Sequence, residues 1–157
     1  FKLTRIKESE GALSPEKQTL YRCGVGIFLY LVKHTIPDLA NATRKLSKAM
    51  DCAIKGHWKE LLWVITDTIS TQQKGFLLQA TKNLRTLNLD ILVDAEFGGD
   101  LNDHKSIMGQ LLYLNEALIG WSSKSMTSVT LSSTEAQYDS MSEGAKFLNS
   151  SICVLPI

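Results

Sequence analysis

Cysteines, any excess of one charge and long apolar runs are all scarce in this sequence, and each shortage closes off a class of protein. Cys23, Cys52 and Cys153 are odd in number and far apart. They build no disulfide framework and spell out no zinc site, and they fit reduced thiols in a cytosolic setting. Lys and Arg total 17 against 16 Asp and Glu, a net charge of +1, so the broad electrostatic footprint of an autonomous nucleic-acid binder is missing. The longest apolar run, Val25 to Val32, is far too short to cross a bilayer. The opening residues lack the charged start, apolar centre and cleavage site of a signal peptide. The expectation is a protein of the cytoplasm or nucleus, neither secreted nor membrane-bound. What remains is ordinary globular sequence, 44% hydrophobic and 21% charged, without repeats or low-complexity tracts. At 157 residues it can bury a sizeable core as one domain, or one domain with an extension.

Residues 1–13 are polar and mixed in charge and read as a linker. Ser14-Pro15-Glu16 is a helix start: a hydroxyl cap, a proline whose missing N–H does no harm, and an acid in the first turn. The helix is expected to run to about Lys33, with Tyr21, Val25, Phe28, Leu29 and Val32 on its apolar face. A second helix is expected from Thr35 to about Asp51, and a third between Gly56 and Ser70 with Trp58, Leu61, Leu62, Ile65 and Ile69 inward. Short loops between them favour a compact helical segment over residues 14–80. Gly75 to Gln79 is a short apolar run with strand character, and the boundary to a second domain, 87–157, falls in Thr81 to Thr86.

The second domain is organised by the stretch from Ile91 to Tyr138. Leu87, Leu89, Ile91 and Val93 alternate with Asn88, Asp90 and Leu92, the period of a strand, which delivers Asp94 just before Gly98 and Gly99 break it. IMGQLLYL, the turn Asn115-Glu116 and ALIGWSS then form a hairpin. A polar link leads to a brief strand, Val129 to Leu131, and SSTE opens a helix with Glu135 in its first turn. On residue chemistry alone Asp94 is a turn acid and Glu135 one half of a capping box with Ser132.

DAEFGGDLNDHKS, GWSSKS and LSSTEAQY resemble the pattern of copia-type LTR retrotransposon Pol polyproteins, whose ribonuclease H domain carries SDADWAGD, a basic residue plus Ser, WSSK and SSTEAEY. A second block, YRCGVGIFLYLVKHTIPDLANA, resembles the end of that family's reverse transcriptase. Two ordered blocks at the right separation are more specific than a short motif. The resemblance implies an α+β chain: a helical segment from the end of a reverse transcriptase, then the first half of a ribonuclease H-like domain, three antiparallel strands and a helix. It places the Asp94 strand centrally, beside the Ile107 to Leu114 strand. The family's polymerase aspartates lie upstream of this sequence, so polymerisation is not expected of it.

Ribonuclease H cleaves the RNA strand of an RNA–DNA hybrid with two divalent ions held about 4 Å apart by carboxylates, because magnesium demands oxygen ligands. By resemblance Asp94 would bridge both ions and Glu135 hold one, with Mg2+ or Mn2+ as cofactor. An RNA–DNA hybrid and the rest of the Pol polyprotein would be the partners. Glu96 and Asp100 stand at further acidic positions of SDADWAGD and are expected to serve the turn. His34, His57 and His104 read as surface or helix-end histidines, and Trp58, Trp63 and Trp121 as core. Departures accumulate: Ile36 and His104 replace arginines, Gln137 replaces Glu, and LNSSICVLPI after Phe147 leaves the family pattern before its later acids. Weak metal binding, little or no cleavage, and self-association through an open edge of the Leu87 to Val93 strand are expected. The alternative is a non-enzymatic nucleic-acid-binding or scaffolding module that keeps the fold.

Overall fold

A computed structural model describes residues 11–75, 87–100 and 103–153. The chain is α+β, as the sequence predicts, and divides into two compact units, Phe1–Phe76 and Leu77–Ile157.

In the first unit Ser14 caps α1 (Pro15–His34) by accepting a hydrogen bond from the Lys17 N–H, with proline in the first turn and Lys33 and His34 in the last. A single 3-10 turn, Pro37–Leu39, leads into α2 (Ala40–Ser47), and α3 (Lys55–Ser70) follows. The second helix is much shorter than its periodicity suggests. After Ser47 the α-helical ladder tightens into turns, with Ala49 N–H on Leu46 and Met50 N–H on Ser47, and long-range bonds hold that ending: the Met50 carbonyl accepts from Gln18 Nε2 at 2.6 Å and Arg22 Nε at 2.8 Å, both on α1. Gln18 Oε1 also accepts from the Ala53 N–H at 3.1 Å.

Tyr21, Val25 and Phe28 of α1 bury against Leu39, Ala42, Leu46, Leu61 and Val64, with Trp58 and Ile65 packed alongside. Leu29, Leu62 and Ile69, expected on inward faces, are exposed instead. The Tyr21 hydroxyl donates to the Leu46 carbonyl at 2.7 Å. Burial, and secondarily the Glu60 carboxylate, pushes the phenol well above its ordinary pKa. Of the stretch read as a linker, residues 11–13 are tied down: Leu13 N–H donates to Ala53, Lys55 N–H donates to Gly11, and Ala12 bridges Ile54. The apolar run from Gly75 to Gln79 and the boundary at 81–86 fall outside the described residues, apart from Gly75 itself.

In the second unit β1 (Leu89–Glu96), β2 (Ile107–Leu114) and β3 (Ala117–Ser125) form an antiparallel sheet in the order β1-β2-β3, followed by α4 (Ser133–Ile152). The hairpin turn holds Asn115 at φ 47° and Glu116 at φ 70°, the left-handed pair of a type I′ turn, easy for asparagine and costly for glutamate. The Asn115 N–H donates to the Asn88 carbonyl at 2.9 Å and its Oδ1 accepts from the Asn88 N–H at 2.8 Å, which locks the start of β1 to the hairpin.

Two expectations are corrected here. β1 lies beside β2 as anticipated, but among the described residues it is an edge strand, because the β2-β3 hairpin makes β2 the middle of the sheet. Residues 129–131 form no strand: Leu131 is 89% exposed, and Thr130 is buried by a hydroxyl bond to Ser106 rather than by strand pairing.

One face of the sheet, with Ile91, Val93, Met108, Gln110 and Leu112, is covered by α4, whose buried line is Ala136, Ser140 and Gly144. Gly144 permits the contact: a Cβ there would stand 2.5 Å from Val93 Cγ1. Gly144→Ala should therefore destabilise the second unit by about 1–3 kcal/mol in urea denaturation, despite alanine's better helix propensity. Adding Val93→Ala should recover part of the loss, and an unchanged midpoint in the single variant would count against the close seating.

His57 generates a pH prediction for the first unit. Its Nδ1 accepts from the Ile54 N–H at 3.2 Å, and burial lowers its pKa below the ordinary 6.5. The folded state then binds this proton less readily than the unfolded chain, so the contribution is complete above pH 6.5 and is lost as pH falls through the lowered folded value. Melting temperatures at about pH 7.5 and 5.5, one pH step either side of the free histidine value, should show a steeper acid loss for the unaltered chain than for His57→Gln.

Candidate functional site

Asp94 emerges near the end of β1, exposed and opposite Gly109 of β2, which contributes no side chain beside it. One oxygen of its carboxylate carries two bonds. Oδ1 accepts from the Ala95 N–H at 2.9 Å and from Gln137 Nε2 at 3.0 Å, and the same amide reaches the Ala95 carbonyl at 3.4 Å. Ser140, fully buried on α4, donates its hydroxyl to the Asp94 carbonyl at 3.1 Å. Two α4 side chains thus fasten the helix to the end of β1.

Glu135 does different work. Its N–H donates to Ser132 Oγ at 3.1 Å, and its Oε2 accepts from the Leu131 N–H at 2.6 Å. This is the reciprocal capping pair read from SSTE, with the carboxylate landing on Leu131 rather than on the Ser132 N–H. Glu135 and Gln137 are two positions apart, on roughly opposite sides of the helix, so the flank that meets Asp94 presents an amide. Asp94 and Glu135 accept from separate sets of donors.

The neighbouring turn is built on Ser106. Its Oγ accepts from the Gly98 N–H at 3.2 Å and lies 2.6 Å from Thr130 Oγ1, while its carbonyl accepts from the Met126 N–H at 2.8 Å. Gly98 takes φ 58°, and a Cβ on Gly99 would collide with the Glu96 carboxyl group. Asp100 is only 5% exposed, and its backbone closes the turn through the Lys105 carbonyl and the His104 N–H. Asp100 therefore lies in the turn, and Glu96 ends β1 with its carbonyl accepting from the Gly99 N–H at 3.3 Å. Among the described residues no three His, Cys, Asp or Glu side chains gather into a group able to hold a metal ion. With an amide on Asp94 and Glu135 turned into its cap, the donors as arranged do not fit a pair of divalent ions.

The remaining candidates are scattered. His34 lies beside the Tyr30 ring, His57 caps the start of α3, and His104 sits in the turn at φ 53°. Trp58 packs on the first unit's core, Trp121 is partly buried on β3, and Trp63 is exposed, against the core reading. Ser106, Thr130 and Ser140 are positioning groups that sequence reading does not reach. Ser106 had a signal in the basic-residue-plus-Ser motif; a serine at Ser140 within a helix has none.

Comparison with known proteins now bears on origin. The chain is 39% identical over 123 residues to the retrovirus-related Pol polyprotein from transposon RE2 of Arabidopsis thaliana, covering 78% of this chain. It is 29% identical over 126 residues to the Pol polyprotein from transposon TNT 1-94 of Nicotiana tabacum. The chain belongs to the copia-type retrotransposon Pol family. It spans only 8% and 9% of those two polyproteins. This Pol-family chain is also 36% identical over 130 residues to the secreted RxLR effector protein 161 of Plasmopara viticola, covering 83% of this chain and 89% of that protein. No family model and no solved structure matches.

The capping geometry can be checked directly. Ser132→Ala should destabilise the second unit by about 1 kcal/mol, and Glu135→Ala by a similar amount. Glu135→Gln, which keeps an oxygen acceptor, should cost less than Glu135→Ala, with the difference read as faster amide exchange at Leu131.

Proposed function

We propose that this Pol-family chain is a ribonuclease H-like unit joined to the closing helices of a reverse transcriptase, and that its hydrolysis of RNA in RNA–DNA hybrids is weak or lost. The observation that carries this reading is the pairing of Asp94 with Gln137. The family's two-ion chemistry calls for carboxylates converging on oxygen-seeking cations. Here the carboxylate at the strand end already accepts from an amide and from its own backbone, and Glu135 is held by Leu131. The order strand, hairpin, helix and the Pol relatives support the ancestry. Divalent ions, if bound, would be held by Asp94 with little help.

A second reading is favoured by one finding. The Plasmopara viticola effector is matched over 89% of its length, so much the same span occurs in a protein with little else attached. That supports a non-enzymatic module whose fold is kept for binding. The near-neutral charge argues that hybrid binding by such a module is weak and salt-sensitive.

Incubation of a labelled RNA–DNA hybrid with Mg2+ or Mn2+ tests both. The expected rate for the unaltered chain is indistinguishable from that of Asp94→Asn. Cleavage that Asp94→Asn abolishes would overturn the loss of activity. Retention of the hybrid without cleavage, weakened by salt, would favour the module.

A further inference from the structure

Successive turns of α4 meet β1 in step. Gly144 rests on Val93 and Ile91, Ser140 donates to the Asp94 carbonyl at 3.1 Å, and Gln137 reaches the Asp94 carboxylate at 3.0 Å. Gly144 and Ser140 are buried, so the helix is fixed against the strand and carries position 137 to the strand end.

At that position two oxygens converge on one nitrogen. Gln137 Nε2 lies 3.0 Å from Asp94 Oδ1 and 3.4 Å from the Ala95 carbonyl oxygen. Both neighbours are acceptors, so the side chain turns its nitrogen to the strand, and the two amide hydrogens serve the two oxygens without adding charge. A carboxylate oxygen and a backbone carbonyl aimed at one spot are also donors of the kind that a hard cation takes. Here an amide nitrogen fills the spot.

We propose that the Gln137 amide is a built-in substitute for a cation: it fills the place between Asp94 and Ala95, so that α4 seats on β1 without a divalent ion, and Mg2+ or Mn2+ gains no hold on Asp94 while the amide is there. The choice of ion rests on the ribonuclease H-like reading, and the place of the amide on geometry alone. Residue 137 thereby decides whether the contact depends on an ion. A glutamate there, equal in length and shape, would set a carboxylate against two oxygens, a repulsive arrangement that a cation in the shared spot relieves. The chain would then need a metal ion for a contact that it now makes with a neutral amide. A glutamine lying loosely on the surface has no such consequence, because a solvated side chain swings away from its like charge.

Urea denaturation of the 157-residue chain in EDTA and in millimolar Mn2+, without nucleic acid, tests this. The second unit of the unaltered chain should show the same midpoint in both, and that of Gln137→Glu a lower midpoint in EDTA that Mn2+ restores. Water-proton relaxation should report Mn2+ bound to Gln137→Glu at least about tenfold more tightly than to the unaltered chain. Combining Asp94→Asn with Gln137→Glu should raise the midpoint in EDTA, because an amide again faces a carboxylate, and should abolish the response to Mn2+. If Gln137→Glu does not fold in EDTA, the double variant decides, since it should fold without an ion. A midpoint of the unaltered chain that rises with Mn2+, and no longer does so in Asp94→Asn, would overturn the proposal: the amide would not be keeping the ion out. So would a Gln137→Glu variant as stable in EDTA as the unaltered chain, or a loss that neither Mn2+ nor Asp94→Asn repairs. Cleavage of a hybrid by the unaltered chain would count against the loss of activity and leave the ion dependence of Gln137→Glu standing, so the two readings fail separately.

Discussion

The close seating of α4 on β1 is the contact on which the second unit depends. Without a side chain at Gly144 the helix backbone descends onto Val93 and Ile91. The same descent brings Ser140 and Gln137 within reach of the end of β1. A helix held farther off would lose both bonds, and the Asp94 carboxylate would be left to water and its own backbone. The packing of an apolar face thus determines the electrostatic surroundings of the candidate site. The cap at Ser132 and Glu135 fixes where that helix begins, and so which of its residues arrive opposite Asp94.

The first unit obeys a similar economy with different parts. Tyr21 carries a large ring into the core and satisfies its hydroxyl on the Leu46 carbonyl at the C-terminal end of α2, which accepts from Ala49 in place of an i+4 N–H. Gln18 and Arg22, one turn apart on α1, take the carbonyl of Met50 just beyond. Polar side chains of one helix therefore set where another stops. Gly24 plays the part of Gly144 here, admitting Leu61 to van der Waals contact with α1.

Much of this was readable in advance because it is local. Ser14-Pro15-Glu16 announces α1, SSTE announces α4, and the period-two pattern before Asp94 announces β1. The turn at Asn115 separates two runs that can only pair as a hairpin. The site was legible in its members and not in its pairings. Asp94 and the capping role of Glu135 could be named from motif and spacing. That the partner of Asp94 is Gln137, marked in the sequence only as a departure from the family, could not. A bond across more than forty positions depends on how deeply a helix sits.

By itself, then, the sequence determined the α+β class, the helix starts, the hairpin and the Pol ancestry, because caps, periodicities and ordered motifs act within a few residues of themselves. Only the tertiary structure decided that α2 ends at Ser47, that Val129 to Leu131 is no strand, that β1 is an edge among the described residues, and which donors the two carboxylates meet. These are outcomes of competition between local preference and distant partners. A carbonyl offered two side-chain donors leaves its helix, and a carboxylate takes the donor that packing brings to it.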